Sequence, residues 1–389
     1  MDVGGDGKVR LTLDDVCELI TKDEPDVEIT SLDEEPGSGR GDNYTSMLYR
    51  VRAKGRKQSK GDEGWTKYEC AIIYKILPAS KERREAFKSE LLFRNEVAFY
   101  KHVWPALNRL QSVGKRVFGG VPKIYAARAD LIAMEDLRER GFEMADRRKG
   151  LEVENLRLVL KALAGFHALS LTLKESRPEE FAKLMNPEHD QGIQEVLFRR
   201  DNEDWYRQYY RVAANNAIRM VSDALPSHIE FRREEIMTKL QAFLNEDVFF
   251  RTMSELVSTQ GPLSVFCHGD CWTNNILFRD EPSSDVEAVY LVDFQLTRVG
   301  SLALDLANLL YCCTSGVVRR AYMTQLLQHY HSHLMSSLRV LNPERPPKDP
   351  SVMWELINES RTNVDGFFDI KKYLEYISID GDYFCAVEN

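Results

Sequence analysis

Apolar and polar residues alternate with a period of two at three places in the first third of the chain. Val27-Glu28-Ile29-Thr30-Ser31-Leu32, Ser46-Met47-Leu48-Tyr49-Arg50-Val51 and the more apolar residues 68–77 predict strands. A Gly-rich turn, Pro36-Gly37-Ser38-Gly39-Arg40-Gly41-Asp42-Asn43, separates the first two. The polar, Gly- and Lys-rich stretch 53–64 predicts a solvated hairpin loop between the second and third. From residue 80 to about 110 the period lengthens. Phe87, Leu91, Leu92, Val97, Phe99 and Tyr100 then share one broad helical face. Two short strands follow, at 123–127 and 131–134. Beyond Asp136 helical spacing dominates, in 154–173, 194–224, 233–256, 302–312 and 317–340, broken by one β-rich island at 263–294. The order of elements predicts an α+β molecule of two lobes. The first, over 1–135, is small and β-rich; the second, over 136–389, is larger and mainly helical. They meet near Glu135-Asp136-Leu137.

Composition narrows the class. With 389 residues, 43% hydrophobic and 29% charged, the chain can bury a sizeable core and is not a disordered scaffold. A net charge of −9 argues against a protein dedicated to nucleic acid or to anionic membranes. No stretch approaches the ~20 apolar residues that span a bilayer. The acidic, Gly-rich start lacks the basic and apolar segments of a secretion signal. Seven cysteines, an odd number, point to free thiols and a reducing compartment, so a cytoplasmic protein is expected.

The β-rich island carries the strongest chemical signal. Its apolar strand runs into His268-Gly269-Asp270-Cys271-Trp272-Thr273-Asn274-Asn275 and out through Ile276-Leu277-Phe278. A further strand, Val289-Tyr290-Leu291-Val292, ends at Asp293-Phe294-Gln295. Phosphoryl transfer explains this spacing. A carboxylate must meet the attacking hydroxyl, an amide oxygen must hold Mg²⁺, and a second carboxylate must bridge metal and phosphates. Asp270 is the candidate catalytic group. Asn275 and Asp293 are the candidate metal ligands. His268 joins Asp270 as a catalytic-loop candidate that orients the loop rather than acting as base. The competing reading is a set of loop carboxylates capping strand ends.

The first lobe supplies the matching half. Gly37, Ser38, Gly39 and Gly41 lie between two strands, where backbone N–H groups can cover phosphates, and the stretch up to Ser46 can add donors. A plain Gly-rich turn is the alternative. Lys75 stands in an otherwise apolar strand, where a lysine is costly unless it meets an anion. It is the candidate phosphate contact, and Glu96 on the following helix is its candidate partner, ahead of Glu85 and Glu90. At the lobe junction the backbone of Glu135 and Leu137 is placed to hydrogen-bond a purine. ATP and Mg²⁺ are therefore the expected cofactors. Only eleven residues separate Asp293 from Asp305, too few for a peptide-docking activation segment, and no A-P-E motif follows. The acceptor is expected to be a small-molecule alcohol.

Weaker signals take structural readings. His329 and His333 share a helix face but have no third ligand, so a solvated helix is expected. Zinc at Cys267 and Cys271 would compete with Mg²⁺ chemistry. Trp205, Tyr206, Tyr209 and Tyr210 suit either the packing of a helical lobe or an apolar acceptor pocket. His167 reads as a hydrogen-bonded core histidine.

These motifs resemble the choline-kinase and aminoglycoside-phosphotransferase superfamily. Gly41-Asp42-Asn43-Tyr44-Thr45-Ser46, Glu135-Asp136-Leu137, Phe166-His167-Ala168, Trp272 in the His-Gly-Asp loop and Gln295 after Asp293-Phe294 resemble, more narrowly, the ecdysteroid-kinase-like family of insects. The likeness runs from about Ile29 to Val340. It implies a two-lobed protein-kinase-like fold and ATP-dependent phosphorylation of a steroid or hydroxylated foreign compound. It also implies that Asp305 braces the catalytic loop. Two other readings stay open: a kinase-like protein that binds nucleotide or hormone without transfer, and an amino-alcohol or aminoglycoside kinase.

Overall fold

The computed structural model describes residues 2–3, 9–37, 45–59, 64–112, 114–225, 231–258, 260–279 and 288–343. Two short strands, β1 (Asp2–Val3) and β2 (Val9–Arg10), pair ahead of helix α1 (Leu13–Thr21). The capping box at Thr12 and Asp15 starts α1, each satisfying the other's backbone N–H. Strands β3 (Val27–Pro36), β4 (Met47–Gln58) and β5 (Trp65–Ile76) follow as a meander. With β6 (Ile124–Arg128) and β7 (Leu131–Glu135) they form an antiparallel sheet of order β3-β4-β5-β7-β6. One face buries Tyr49, Val51, Ile72 and Tyr74 with Val16, Leu19 and Ile20 of α1. The pleat turns Lys75 to the opposite face, toward the second lobe.

The loop expected over 53–64 is mostly strand. β4 and β5 stay paired out to Gln58 and Trp65, leaving 59–64 as the connection. Arg52, Lys54 and Arg56 lie on one face and Ala53 is buried on the other. Two of these cations are ion-paired to the neighbouring strand, Lys54 to Asp33 at 2.5 Å and Arg56 to Glu28 at 2.7 Å.

The helix expected over 80–110 is broken into α2 (Lys81–Ala86), α3 (Ser89–Ala98) and α4 (Trp104–Asn108). Lys88 takes a left-handed backbone with φ 52° and separates the first two. Between α3 and α4 the turn Phe99–Val103 widens, and the Trp104 N–H reaches back to the Phe99 carbonyl. Pro105 has no N–H to give Lys101, which accounts for the loss of the ordinary helical bond there.

After a 3₁₀ turn at Leu137–Arg140 and strand β8 (Phe142–Met144), the chain enters α5 (Val153–Ser176) and α6 (Pro178–Leu184). α5 is long and apolar enough to cross a membrane, yet 78% of its apolar window is buried, and it forms the axis of the larger core. Helices α7 (Glu203–Ala224), α8 (Arg233–Phe243) and α9 (Glu246–Ser258) make the insert. α7 starts nine residues later than expected, because the stretch from Gln194 wraps against α3 instead. Tyr206 and Tyr210 are buried against Phe198 and Phe250 in the core of this insert. The side chain of Tyr209 lies outside the described residues.

The β-rich island is β9 (Ser264–Cys267), β10 (Ile276–Arg279) and β11 (Val289–Leu291), followed by β12 (Arg298–Ser301). β11, β10 and β8 form one small sheet, and β12 and β9 another. α10 (Ala303–Cys312) and α11 (Gly316–Leu341) close the fold. α11 is not a solvated helix: it packs along α5, with Leu326, Leu327, Tyr330 and Leu334 buried. The His329 and His333 rings lie 4.5 Å apart, half-buried, and His329 Nε2 contacts the Arg157 carbonyl.

Candidate active site

Strand β9 ends at Cys267 and delivers His268, Gly269 and Asp270 to the floor between the two lobes. Gly269 has φ +85°, and a Cβ there would meet the Leu296 carbonyl oxygen at 2.0 Å. Glycine is what lets this backbone pass so close to the segment after Asp293. Asp305, wholly buried in the first turn of α10, accepts from the backbone N–H of His268 at 2.7 Å and of Gly269 at 2.9 Å. His167 Nε2 meets the same carboxylate at 3.1 Å, and the other ring nitrogen meets the Tyr330 hydroxyl at 2.8 Å. Burial pushes the Asp305 carboxyl up. The His167 hydrogen bond and nearby imidazole groups outweigh it and leave the pKa below the usual value.

The Asn275 amide nitrogen donates to both the Asp270 carbonyl and Asp270 Oδ2, each at 2.9 Å. His268 Nδ1 accepts the Asp270 backbone N–H at 3.2 Å, so its proton sits on Nε2 and is donated to the Val292 carbonyl at 3.0 Å. Burial lowers the His268 pKa and keeps the ring neutral. Both ring nitrogens are therefore spent on backbone. His268 is a positioning residue that ties the loop to the end of β11, and it is set aside as a catalytic candidate. Asp270 is pushed up to about 6, first by burial and then by the Asp293 charge, against hydrogen bonds from Asn275 and Trp272 and the charge of Arg298. A carboxylate poised there suits proton transfer near neutral pH.

Lys75 Nζ lies 2.9 Å from both Glu96 oxygens and 2.8 Å from Asp293 Oδ1. Lys75 is 6% exposed and Glu96 1%. Burial opposes the Lys75 charge, but Asp293 and Glu96 outweigh it and raise its pKa. Asp293 sits in the left-handed region with φ 66°, a strained backbone for a residue with a Cβ. What holds it is Phe294, stacked on Phe99 at 3.8 Å and edge-on to Tyr100 at 5.8 Å, with the His268 ring at 4.5 Å.

Asn275 Oδ1 and Asp293 Oδ2 are the oxygens left for a cation. Turning the Asn275 amide nitrogen toward Asp270 leaves Oδ1 on the other side. The nearest donor to Asp293 Oδ2 is the Gln295 amide, at a long 3.4 Å. Glu96 and Asp293 meet Lys75, and the Asp270 carboxyl lies near enough to feel the Asp293 charge, an oxygen-rich set that fits a hard divalent cation. Among the described residues no group of three His, Cys, Asp or Glu side chains forms a complete metal site. The rest of any coordination shell must come from phosphate or water.

The candidate nucleotide contacts are placed less completely. Ser38, Gly39 and Gly41 lie outside the described residues. The Gly37 N–H is spent on the Leu48 carbonyl at 3.0 Å, and Ser46 is buried at the head of β4. The Glu135 side chain accepts the Lys123 N–H at 2.8 Å and the Glu135 N–H donates to the Lys123 carbonyl at 2.9 Å, so of its backbone only the carbonyl is left for a ligand. Leu137 opens its 3₁₀ turn, which leaves its N–H without a partner inside that turn. A cavity of about 440 Å³ opens behind the junction, lined by Trp104, Lys123, Glu135, Arg140 and Tyr290 among others. Lys75, Asp270 and Asp293 do not line it, and the expected Gly-rich cover of that site, residues 38–44, lies outside the described residues.

The family model of the ecdysteroid kinase-like family matches residues 40–343. The chain belongs to that family. No curated protein matches it. Among solved structures it is similar to the GDP complex of an aminoglycoside 2′-phosphotransferase-IIIa point mutant. That likeness is 12% identical, covers 91% of this chain and 99% of the other, and has a TM-score of 0.38.

This ecdysteroid kinase-like chain brings Asp270, Asn275, Asp293, Lys75, Glu96 and His268 into one constellation. It also uses residues that pattern alone did not mark. Asn95, 1% exposed, donates to the carbonyls of Gln295 at 3.0 Å and Thr297 at 2.7 Å and accepts the Gln194 N–H at 2.9 Å. It thereby staples the helix carrying Glu96 to the segment after Asp293. Gln295 accepts from the Thr45 hydroxyl at 3.0 Å, linking the Asp293 motif to the end of the Gly-rich segment. An amide beside a helical glutamate gives no sequence signal, whereas the Gln295 position was visible as a departure from Asp-Phe-Gly.

Proposed function

We propose that this ecdysteroid kinase-like protein transfers the γ-phosphoryl group of ATP to the hydroxyl of a small-molecule alcohol. Ecdysteroids are the acceptor class to test first, in keeping with the family's description, followed by hydroxylated foreign compounds. The observation that carries the reading is the buried Lys75–Glu96–Asp293 cluster facing the Asp270–Asn275 loop. A lysine kept charged beside an open carboxylate oxygen, across from a carboxylate near pKa 6, supports phosphoryl transfer.

Asp270 orients the acceptor hydroxyl and takes its proton as the new O–P bond forms. The bond from γ-phosphorus to the β,γ-bridging oxygen breaks, and ADP leaves with that electron pair. Lys75, fixed by Glu96, presents its charge to the phosphate oxygens. Asn275 and Asp293 would hold Mg²⁺, which supplies charge neutralisation to the phosphates when bound. Asp305, through the His268 and Gly269 N–H groups, keeps Asp270 in place. Most of the rate then comes from positioning and fixed charge.

The test is a panel of hydroxylated steroids, phenolics, sugars and amino alcohols incubated with MgATP and read by mass for phosphate addition. Wild-type protein should yield a phosphomonoester with at least one alcohol. Asp270→Ala should bind nucleotide with unchanged affinity and make no product. Equal product from both proteins, or Mg²⁺-dependent ATP binding with no product from any alcohol, rejects the reading.

A further inference from the structure

The cavity of about 440 Å³ behind the lobe junction has the size of a small-molecule pocket, which runs from about 300 to 1,000 Å³. Neither the Lys75 cluster nor the Asp270 loop lines it. Its inner wall is buried and largely aromatic. Tyr100 is 4% exposed and Tyr290 3%, with Val121 and Pro122 buried beside them and Trp104 half-buried. The wall backs onto the catalytic cluster. The Tyr100 ring is edge-on to Phe294 at 5.8 Å, and Tyr290 lies on β11, the strand that leads to Asp293.

The mouth of the cavity is cationic. Arg116, Lys123 and Arg140 are exposed there, and Glu135 is the one carboxylate among the described lining residues. Three cations against one carboxylate stand out in a chain of net charge −9. A Cβ on Gly119 would sit 2.6 Å from Arg116 Nε and Nη2, so the guanidinium lies over that glycine at the cavity wall. Arg140 Nη1 donates to the Tyr290 hydroxyl at 2.7 Å and is a long 3.4 Å from both Glu135 oxygens. Its guanidinium carbon lies 5.1 Å from the Tyr290 ring centroid. Lys123 Nζ pairs with Asp23 at 3.1 Å, with the two side chains 44% and 45% exposed. Exposed pairs contribute little, so Lys123 and Arg140 can turn to a new anion at small cost. Glu135 opposes that anion weakly, because its carboxylate already accepts the Lys123 N–H at 2.8 Å.

We propose that this cavity is a second binding site, for a small aromatic anion that carries a carboxylate or a phosphomonoester. The ring packs against Trp104 and Tyr290, and the anionic group sits at the mouth among Arg116, Lys123 and Arg140. Both halves are needed. Exposed cations hold a hydrated anion weakly, and the aromatic wall offers a neutral ring apolar contact alone. Charge-assisted hydrogen bonds at the mouth add to ring packing when one molecule makes both. A solvent-filled gap under surface side chains would select for neither half.

The experiment titrates full-length protein in a calorimeter with 2-naphthoate and with 2-naphthyl phosphate, in the presence and absence of MgADP. The neutral and ring-free counterparts are 2-naphthamide and inorganic phosphate. At least one naphthyl anion should bind once per chain, and MgADP should not displace it. The stronger of the two identifies the anionic group that the mouth prefers. 2-Naphthamide and inorganic phosphate should each bind about tenfold more weakly or worse. Arg116→Gln combined with Lys123→Gln should weaken the naphthyl anion about tenfold. Asn108→Trp, on the cavity lining, fills the space and should abolish binding; it serves if the double variant does not fold. Binding of neither anion, equal binding of 2-naphthamide, displacement by MgADP, or wild-type affinity in the folded variants overturns the proposal. None of these outcomes depends on turnover of ATP, so failure here leaves the phosphotransferase reading standing.

Discussion

At Asp270 two requirements conflict. In the proposed reaction the carboxylate must be ionised to take a proton, yet burial and Asp293 both raise its pKa to about 6. A folded-state pKa above the unfolded value near 3.9 means the folded chain holds its proton more tightly. The penalty is absent below pH 4, grows between pH 4 and 6, and is complete above 6. Asp270→Asn should therefore stabilise the protein by about 2 kcal/mol at pH 8, with the gain vanishing near pH 4, in urea titrations across that range. Activity should run the other way: kcat/KM of the wild type should rise through about pH 6 as the base ionises. A wild-type protein whose stability is flat from pH 4 to 8 relative to Asp270→Asn would rule out the raised pKa. Asn95 shows why some of the site escaped pattern reading. Its amide satisfies three backbone groups from two distant segments, and only the folded chain brings these together. Asn95→Leu leaves those groups buried and unpaired. It should cost about 2–4 kcal/mol in urea unfolding, beyond what an exposed helix substitution costs.

Elements read from periodicity survived where one face is apolar and the other polar, and failed where charge or breaks hid the pattern. β4 was cut short because Lys54 and Arg56 looked like loop, though their partners Asp33 and Glu28 lie on the adjacent strand. The break at Lys88 and the widened turn before Pro105 interrupt a helix whose apolar spacing runs on through both. α1 went unread; its Thr12–Asp15 capping box and its buried Val16, Leu19 and Ile20 were the available signal. The β-rich island was legible because a strand, a polar loop and a strand carry chemistry at fixed spacing. Its joint to α10 is the point most open to test. Asp305 receives two loop N–H groups and His167. Its lowered pKa adds stability that is present above the unfolded pKa near 3.9 and is lost as pH falls through the folded value. Asp305→Asn can accept at one oxygen only. It should lower kcat by about 100-fold with KM for ATP little changed, because the Asp270 loop drifts while the nucleotide contacts stay. It should also lack the acid-side loss of stability expected of the wild type. A variant with normal kcat would show that the loop holds its shape without this brace.

Over the whole molecule, the lobes are joined at two levels. Inside the cleft, Lys75 meets Asp293, Asn95 meets the Gln295 and Thr297 carbonyls, and Thr45 meets Gln295. At the junction, Arg50 on β4 reaches the buried Asp136 at 2.5 Å, Glu139 at 2.8 Å and Glu35 at 2.9 Å. The two-lobed plan was legible from the change of period near residue 136. This junction was not, because Arg50 sits in an alternating strand and finds its partners 86 and 89 positions on. Arg50→Met separates the two levels. It removes the junction clamp and leaves every cleft contact in place. Asp136 keeps Arg138, whose backbone N–H and Nε both lie at 3.1 Å, so the loss is partial and should be about 2 kcal/mol in urea unfolding. In the proposed reading, a looser junction populates conformations in which the Glu135–Leu137 backbone would no longer meet a bound nucleotide. If the competent state falls to a tenth, apparent nucleotide affinity falls about tenfold while the bound complex reacts as before. The expected result is therefore a KM for ATP raised about tenfold with kcat within about threefold of wild type. A lowered kcat at unchanged KM would place the effect of Arg50 on the reacting groups instead of on closure of the lobes.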